Sequence, residues 1–126
     1  MESKFNRRVL ASRPAAQNSH WQQLLLQAGF DVLDMSAAPK NPQKEGDKTV
    51  NSDLLTDAAI TQLSALKADP KRFFMWVHYL DPHAEYMPHE EFDFGKDPRA
   101  LYDGEVAFTD AKIGRLLAAL EERGLA

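Results

Sequence analysis

The run Phe73-Phe74-Met75-Trp76-Val77-His78-Tyr79-Leu80, followed at once by Asp81-Pro82, constrains the fold more than any other stretch of the chain. It is short, rich in aromatic residues, and apolar without alternation. That combination suits a strand covered on both faces, as in a parallel sheet held between helices. Pro82 cannot continue a central ladder and restricts the residue before it, so the strand must end there and the chain must turn out of the sheet.

Helical patterns stand on both sides of this run. Before it, Leu55, Ala59, Leu63 and Leu66 form an apolar stripe over about 53–68, with Asn51 or Ser52 as cap and Pro70 as stop. After it, an irregular segment runs from Asp81 to about Lys96. Asp97-Pro98 then opens a third helix, which ends near Gly124 and has Val106, Ile113, Leu117 and Leu120 as its expected buried face. Val106, Asp110, Ile113 and Leu117 share one helical spacing, so Asp110 is expected as a buried carboxylate tying the helix to a neighbouring loop. Gly114, one turn on, is expected to let that helix approach the sheet.

Further upstream, Trp21, Leu24, Leu25 and Ala28 mark a helix over about 18–28, capped by Asn18 or Ser19 and closed by Gly29. Phe30 to Leu33 reads as a short strand, and residues 34–49 as a Lys-rich loop. Residues 1–16 show no periodicity and are expected to form a disordered tail, which leaves residues 17–126 as the folded part. The order helix, strand, helix, strand, helix predicts an α/β fold, since strand–helix–strand normally makes a right-handed parallel unit. Two strands alone would leave open edges, through which self-association is expected.

Composition narrows the class of function. Fifteen basic and nineteen acidic side chains in 126 residues give a net charge of −4, which argues against nucleic acid as a partner. No cysteine is present, so disulfides, thiolate metal sites and a cysteine nucleophile are excluded. No apolar run approaches the length of a membrane span. The first residues lack the basic-then-apolar pattern of a secretory leader, which predicts a chain that stays in the cytoplasm as encoded.

From Phe73 to Pro88, including Asp81-Pro82-His83-Ala84-Glu85-Tyr86-Met87-Pro88, the sequence resembles the central strand and loop of sulfatases, in the alkaline-phosphatase-like superfamily of metal-dependent ester hydrolases. Ala28-Gly29-Phe30-Asp31 and Leu55-Thr56-Asp57-Ala58-Ala59-Ile60 resemble the strand and helix that precede this loop. Tyr102-Asp103-Gly104-Glu105-Val106-Ala107-Phe108-Thr109-Asp110, with Gly114-Arg115-Leu116-Leu117 and Leu120, resembles the long helix that follows. The resemblance covers roughly Gly29 to Gly124 and implies a fragment of an alkaline-phosphatase-like parallel sheet flanked by helices.

For the intact family the resemblance implies hydrolysis of a sulfate ester, or of a phosphate or phosphonate ester in relatives. The nucleophile there is a hydrated formylglycine made from Cys or Ser, and the cofactor is calcium or another divalent metal. His83 matches the histidine that reaches the sulfate or the leaving group. Ser12-Arg13-Pro14-Ala15-Ala16-Gln17 nearly matches the nucleophile motif but ends in Gln rather than Arg. No metal-ligand set is matched, so no metal or cofactor is expected in this chain, and a truncated segment, inactive alone, is the leading expectation. A non-catalytic binding module that keeps part of the fold is the alternative.

Read from the residues themselves, His83 lies just past the carboxyl end of the predicted parallel strand, where open α/β sheets bind ligands. It is the candidate catalytic and substrate-binding residue. His78, within the strand, and Tyr86, in the loop, are the other candidate substrate contacts. Asp81 is accounted for as a turn-former, His89 is expected to be exposed, and the three histidines have the wrong disposition for a zinc site.

Overall fold

The computed structural model describes residues 5–11, 15–34, 52–66, 72–83 and 85–126. Its elements are β1 (Phe5–Ala11), α1 (Ala15–Gln27), β2 (Asp31–Asp34), α2 (Ser52–Leu66), β3 (Arg72–Val77), a short 3-10 turn at Glu90–Phe92, and α3 (Pro98–Glu122). The three strands make a parallel sheet in the order β2-β1-β3. The chain thus winds outward from β1 to β2 and returns to the other side of β1 for β3. Right-handed crossovers place α1 and α2 on opposite faces of such a sheet and create a switch point between the carboxyl ends of β1 and β3.

The central strand arises in the stretch expected to be a disordered tail. Val9 pairs with Val32 of β2 on one side and with Trp76 of β3 on the other. Two consecutive arginines, Arg7 and Arg8, break the apolar pattern, and β1 holds by ladder bonds on both edges. The tail expectation is therefore corrected over residues 5–11, and α1 also begins before the expected start. Residues 35–51, which include most of the Lys-rich loop, and Pro70 lie outside the described residues.

Local signals set the ends of the helices. Gly29 at φ 83° closes α1. The amide of Phe30 donates to Leu25 and that of Gly29 to Leu26, both at 3.0 Å, in the double-bonded pattern that favours glycine here. Asp97 caps α3, its carboxylate accepting from the amides of Arg99 and Ala100, with Pro98 in the first turn.

The core lies between α2, α3 and one face of β3. Leu55, Ala59, Leu63 and Leu66 are all buried, as the stripe in the sequence requires. Met75, Val77 and Leu116 pack against Leu55 and Ala59, while Phe73, Leu116 and Leu120 pack against Leu63, Leu66 and Ala119. The other face of β3 is only partly covered. Phe74 and Trp76 are 52% and 47% exposed, with Phe30 meeting Phe74 edge-on at 5.8 Å. A strand covered on both faces is thus corrected to one covered on a single face.

Two helix faces also differ from expectation. Val106, Ile113 and Leu117 are exposed, whereas Ala100, Gly104, Glu105, Phe108, Thr109 and Ala119 are buried and only Leu120 of the expected stripe joins the core. The buried face is turned by about one residue, roughly 100°, because the helix seats on α2 and on the loop after β3. Asp110 is exposed, and Gly114 has open space around it. The close approach falls at Gly104, where an added Cβ would stand 2.9 Å from the carbonyl oxygen of Phe92. In α1, Leu24 is exposed and Gln22 buried, so the expected apolar stripe there is not the buried one.

Candidate functional site

The carboxyl end of β3 delivers the chain into the loop that carries His83. The strand ends at Val77, so His78 stands just beyond it, half-buried, with its ring 6.4 Å from that of Trp76. Two buried polar clusters hold the segment from Tyr79 to Met87.

The first comes from α2. The backbone amide and the hydroxyl of Ser52 both donate to Asp81 Oδ2, at 3.2 and 2.6 Å. Asp81 therefore places a carboxylate at the amino end of α2, where free amides and the helix dipole favour negative charge. Thr56 donates its hydroxyl to the Ser52 carbonyl at 2.7 Å and lies 2.8 Å from the Tyr79 hydroxyl. A hydroxyl has one proton, so Tyr79 is the donor to Thr56. Burial pushes the Tyr79 phenol above its ordinary range, and a Thr56 hydroxyl turned to donate to the phenolate opposes that shift.

The second comes from α3. Glu105 is 1% exposed. Its Oε2 accepts from the amide of His83 at 3.2 Å, and its Oε1 from the amide of Met87 at 2.9 Å. The buried carboxylate that ties the last helix to a loop is thus Glu105, not Asp110. Tyr86, within the same loop, packs edge-on against Tyr102 of α3 at 5.3 Å. His89 is half-buried, not exposed, and stacks on Phe108 at 4.0 Å. Lys112 reaches over the same ring at 4.5 Å and pairs with Asp53 at 2.8 Å.

The structure thus brings His83 and Tyr86 into one loop at the sheet's carboxyl end, with His78 at its root. None of the three lines either of two cavities bordered by described residues. A cavity of about 120 Å³ is bordered by Met87, Pro88, His89, Phe92, Ala100 and Gly104. An apolar groove of about 200 Å³ is bordered by Leu63, Phe73, Met75, Val77, Leu116 and Leu120. Glu105, Thr56 and Tyr79 are the residues that the sequence reading missed, and Ser52 was read as a helix cap alone. For Glu105 the visible signal was Gly104 on a row with Ala100 and Phe108, marking a close approach with Glu105 beside it.

Among the described residues no three His, Asp or Glu side chains converge on a point. Of the acidic groups at the loop, Asp81 is held by Ser52, Glu105 by backbone amides and Asp53 by Lys112 and Arg115, while Glu85 is exposed. These residues do not fit a divalent metal. Ser12 lies outside the described residues.

A parallel sheet with a switch point, followed by a loop pinned at its carboxyl end, defines an α/β domain. Three solved structures share the fold. The lipoteichoic acid synthase LtaP from Listeria monocytogenes matches with TM-score 0.75 and 12% identity over 97% of this chain and 31% of its own. A protein in the alkaline phosphatase superfamily from Vibrio parahaemolyticus matches with TM-score 0.70 and 18% identity over 94% and 29%. Ps i-CgsB, solved in complex with a neocarrahexaose, matches with TM-score 0.55 and 20% identity over 93% and 27%. The chain thus spans less than a third of the length of each. No curated protein matches it in sequence. The Sulfatase family model matches residues 13–126, and the chain belongs to that family. Among the described residues no helix is long and apolar enough to cross a membrane.

Proposed function

We propose that this chain contributes the His83 loop to the ester-cleaving site of a sulfatase-family hydrolase, and that it is inactive by itself. The substrate class is a sulfate ester, with a phosphate or phosphonate ester as the related chemistry. The observation that carries this reading is the placement of His83, after the carboxyl end of a parallel strand with its amide held by a buried carboxylate. An imidazole there donates a hydrogen bond to a non-bridging sulfate oxygen, or protonates the leaving oxygen when cationic. His78 and Tyr86 are the neighbouring substrate contacts. Fold alone does not choose the ester, since a lipoteichoic acid synthase and a protein solved with a neocarrahexaose share it.

The test uses the purified chain with an activated aryl sulfate and an aryl phosphate, with and without calcium or manganese. A parallel sample labelled with 15N is titrated with inorganic sulfate. We expect no turnover above buffer and a sulfate-dependent shift of the His83 ring resonances. Multiple turnovers that follow the protein through purification overturn the first part, and a silent His83 overturns the second.

A non-catalytic reading is favoured by one feature. β3 is an edge of the described sheet, its outer face carries half-exposed Phe74 and Trp76, and an apolar groove runs along its inner face. Such an edge pairs with another strand unless charge or proline blocks it. Self-association through this edge is the expected outcome, read by sedimentation at several concentrations; a strictly monomeric chain with a sharp, high melting transition overturns it.

A further inference from the structure

The loop after β3 is held from one side by a carboxylate that the sequence pattern did not single out. Glu105 sits in the first half of α3, one residue beyond the point where that helix meets the 3-10 turn most closely. Its neighbour Gly104 admits no Cβ, because one would stand 2.9 Å from the Phe92 carbonyl oxygen. The helix is therefore fixed in height against the turn, and a carboxylate at 105 has little freedom to slide along it. Both oxygens are used: Oε2 by the amide of His83 and Oε1 by the amide of Met87. One rigid planar group thus sets two amides four residues apart in a loop without regular structure. Bonds from N–H to a carboxylate are roughly twice as strong as those to a neutral acceptor, and burial strengthens them further.

We propose that Glu105 is a positioning residue for His83: it fixes the backbone from which the imidazole is presented, without itself touching the ester. This rests on the reading of His83 as the group that meets the sulfuryl oxygen. Three alternatives on α3 fail on geometry. Asp110 is exposed, Lys112 is engaged with Asp53, and Tyr102 touches Tyr86 rather than His83.

The experiment is a titration of the 126-residue chain with inorganic sulfate, observed at the His83 ring and at the amides of His83 and Met87. Glu105→Gln keeps the shape but turns one acceptor into a donor, and Glu105→Asp keeps the charge but withdraws it by one methylene. We expect both variants to raise the apparent Kd for sulfate at His83 at least tenfold, and to speed amide exchange at His83 and Met87 by a similar factor. Leu63→Ala destabilises the core between α2 and α3 away from the loop and serves as the stability control; its sulfate affinity is expected to stay within twofold of the unaltered chain. Should Glu105→Gln not fold, Glu105→Asp carries the comparison. Sulfate affinity unchanged within twofold in the folded Glu105 variants overturns the inference alone. So does an equal loss in Leu63→Ala, which would reduce Glu105 to general support. A His83 ring that ignores sulfate in the unaltered chain overturns the reading of His83, and the positioning role with it.

Discussion

The two anchors of the His83 loop solve one problem by different means. On the α2 side, the Tyr79 hydroxyl donates to Thr56, Thr56 to the Ser52 carbonyl, and the hydroxyl and amide of Ser52 to the Asp81 carboxylate, so that most of the bonds come from side-chain hydroxyls. On the α3 side, a single carboxylate receives backbone amides directly. A hydroxyl can be deleted together with its own need for a partner. A backbone amide cannot be deleted, so removing Glu105 leaves two part-buried donors without their acceptor. The α3 anchor should therefore be the stiffer and the more costly to lose, although fewer side chains build it.

The sharpest way to break this comparison is Glu105→Ala. Two amides lose their acceptor, and at about 1–3 kcal/mol for each buried group left unpaired the expected destabilisation is about 3 kcal/mol, read from urea unfolding with an unchanged slope. A loss below that of Ser52→Ala would reverse the ranking. Next comes Gly104→Ala. Its Cβ would meet backbone rather than a flexible side chain, and overpacking of this kind costs about 2 kcal/mol. Thermal melting checks it, and a neutral result would mean that the 3-10 turn yields easily.

Ser52→Ala removes the hydroxyl bond to Asp81 but keeps the amide bond, and is expected to cost about 1.5 kcal/mol. Tyr79→Phe should cost less, about 1 kcal/mol, and it carries a pH signature. The folded phenol is raised above its ordinary value, so the folded state holds its proton more tightly than the unfolded chain. Stability from this group is present in full below the ordinary tyrosine range of about 10. It is lost as pH rises through the folded value, because there the unfolded state binds fewer protons. The unaltered chain should weaken with rising alkalinity more steeply than Tyr79→Phe, as denaturant midpoints across that range would show; parallel curves would remove Tyr79 from the network. The smallest effect is expected for Asp110→Ala, within about 0.5 kcal/mol as for ordinary surface positions, and a large one would return the tying role to Asp110.

Much of this architecture was written locally. The stripe Leu55, Ala59, Leu63 and Leu66, the Asp97-Pro98 start of α3 and the glycine end of α1 formed as the residues indicate, and the aromatic run before Asp81-Pro82 formed a parallel strand, though one that ends at Val77. Periodicity, capping and turn chemistry act over a few residues, and a single chain displays them. The family was legible for a related reason: its signature is an ordered set of such local patterns, and the Sulfatase match spans them.

Tertiary contact decided the rest. β1 carries Arg7-Arg8 and no alternation, yet it is the central strand because it is paired along both edges. α3 offers an apolar row at Val106, Ile113 and Leu117, yet buries the face one residue round, because α2 and the loop after β3 claim that side. From the same cause the buried carboxylate is Glu105 and not Asp110. A helix's spacing fixes which residues share a face, but only the surface it meets fixes which face goes inward. The amides of His83 and Met87 became a demand for an acceptor only once the chain had turned at Asp81-Pro82 and laid them against α3.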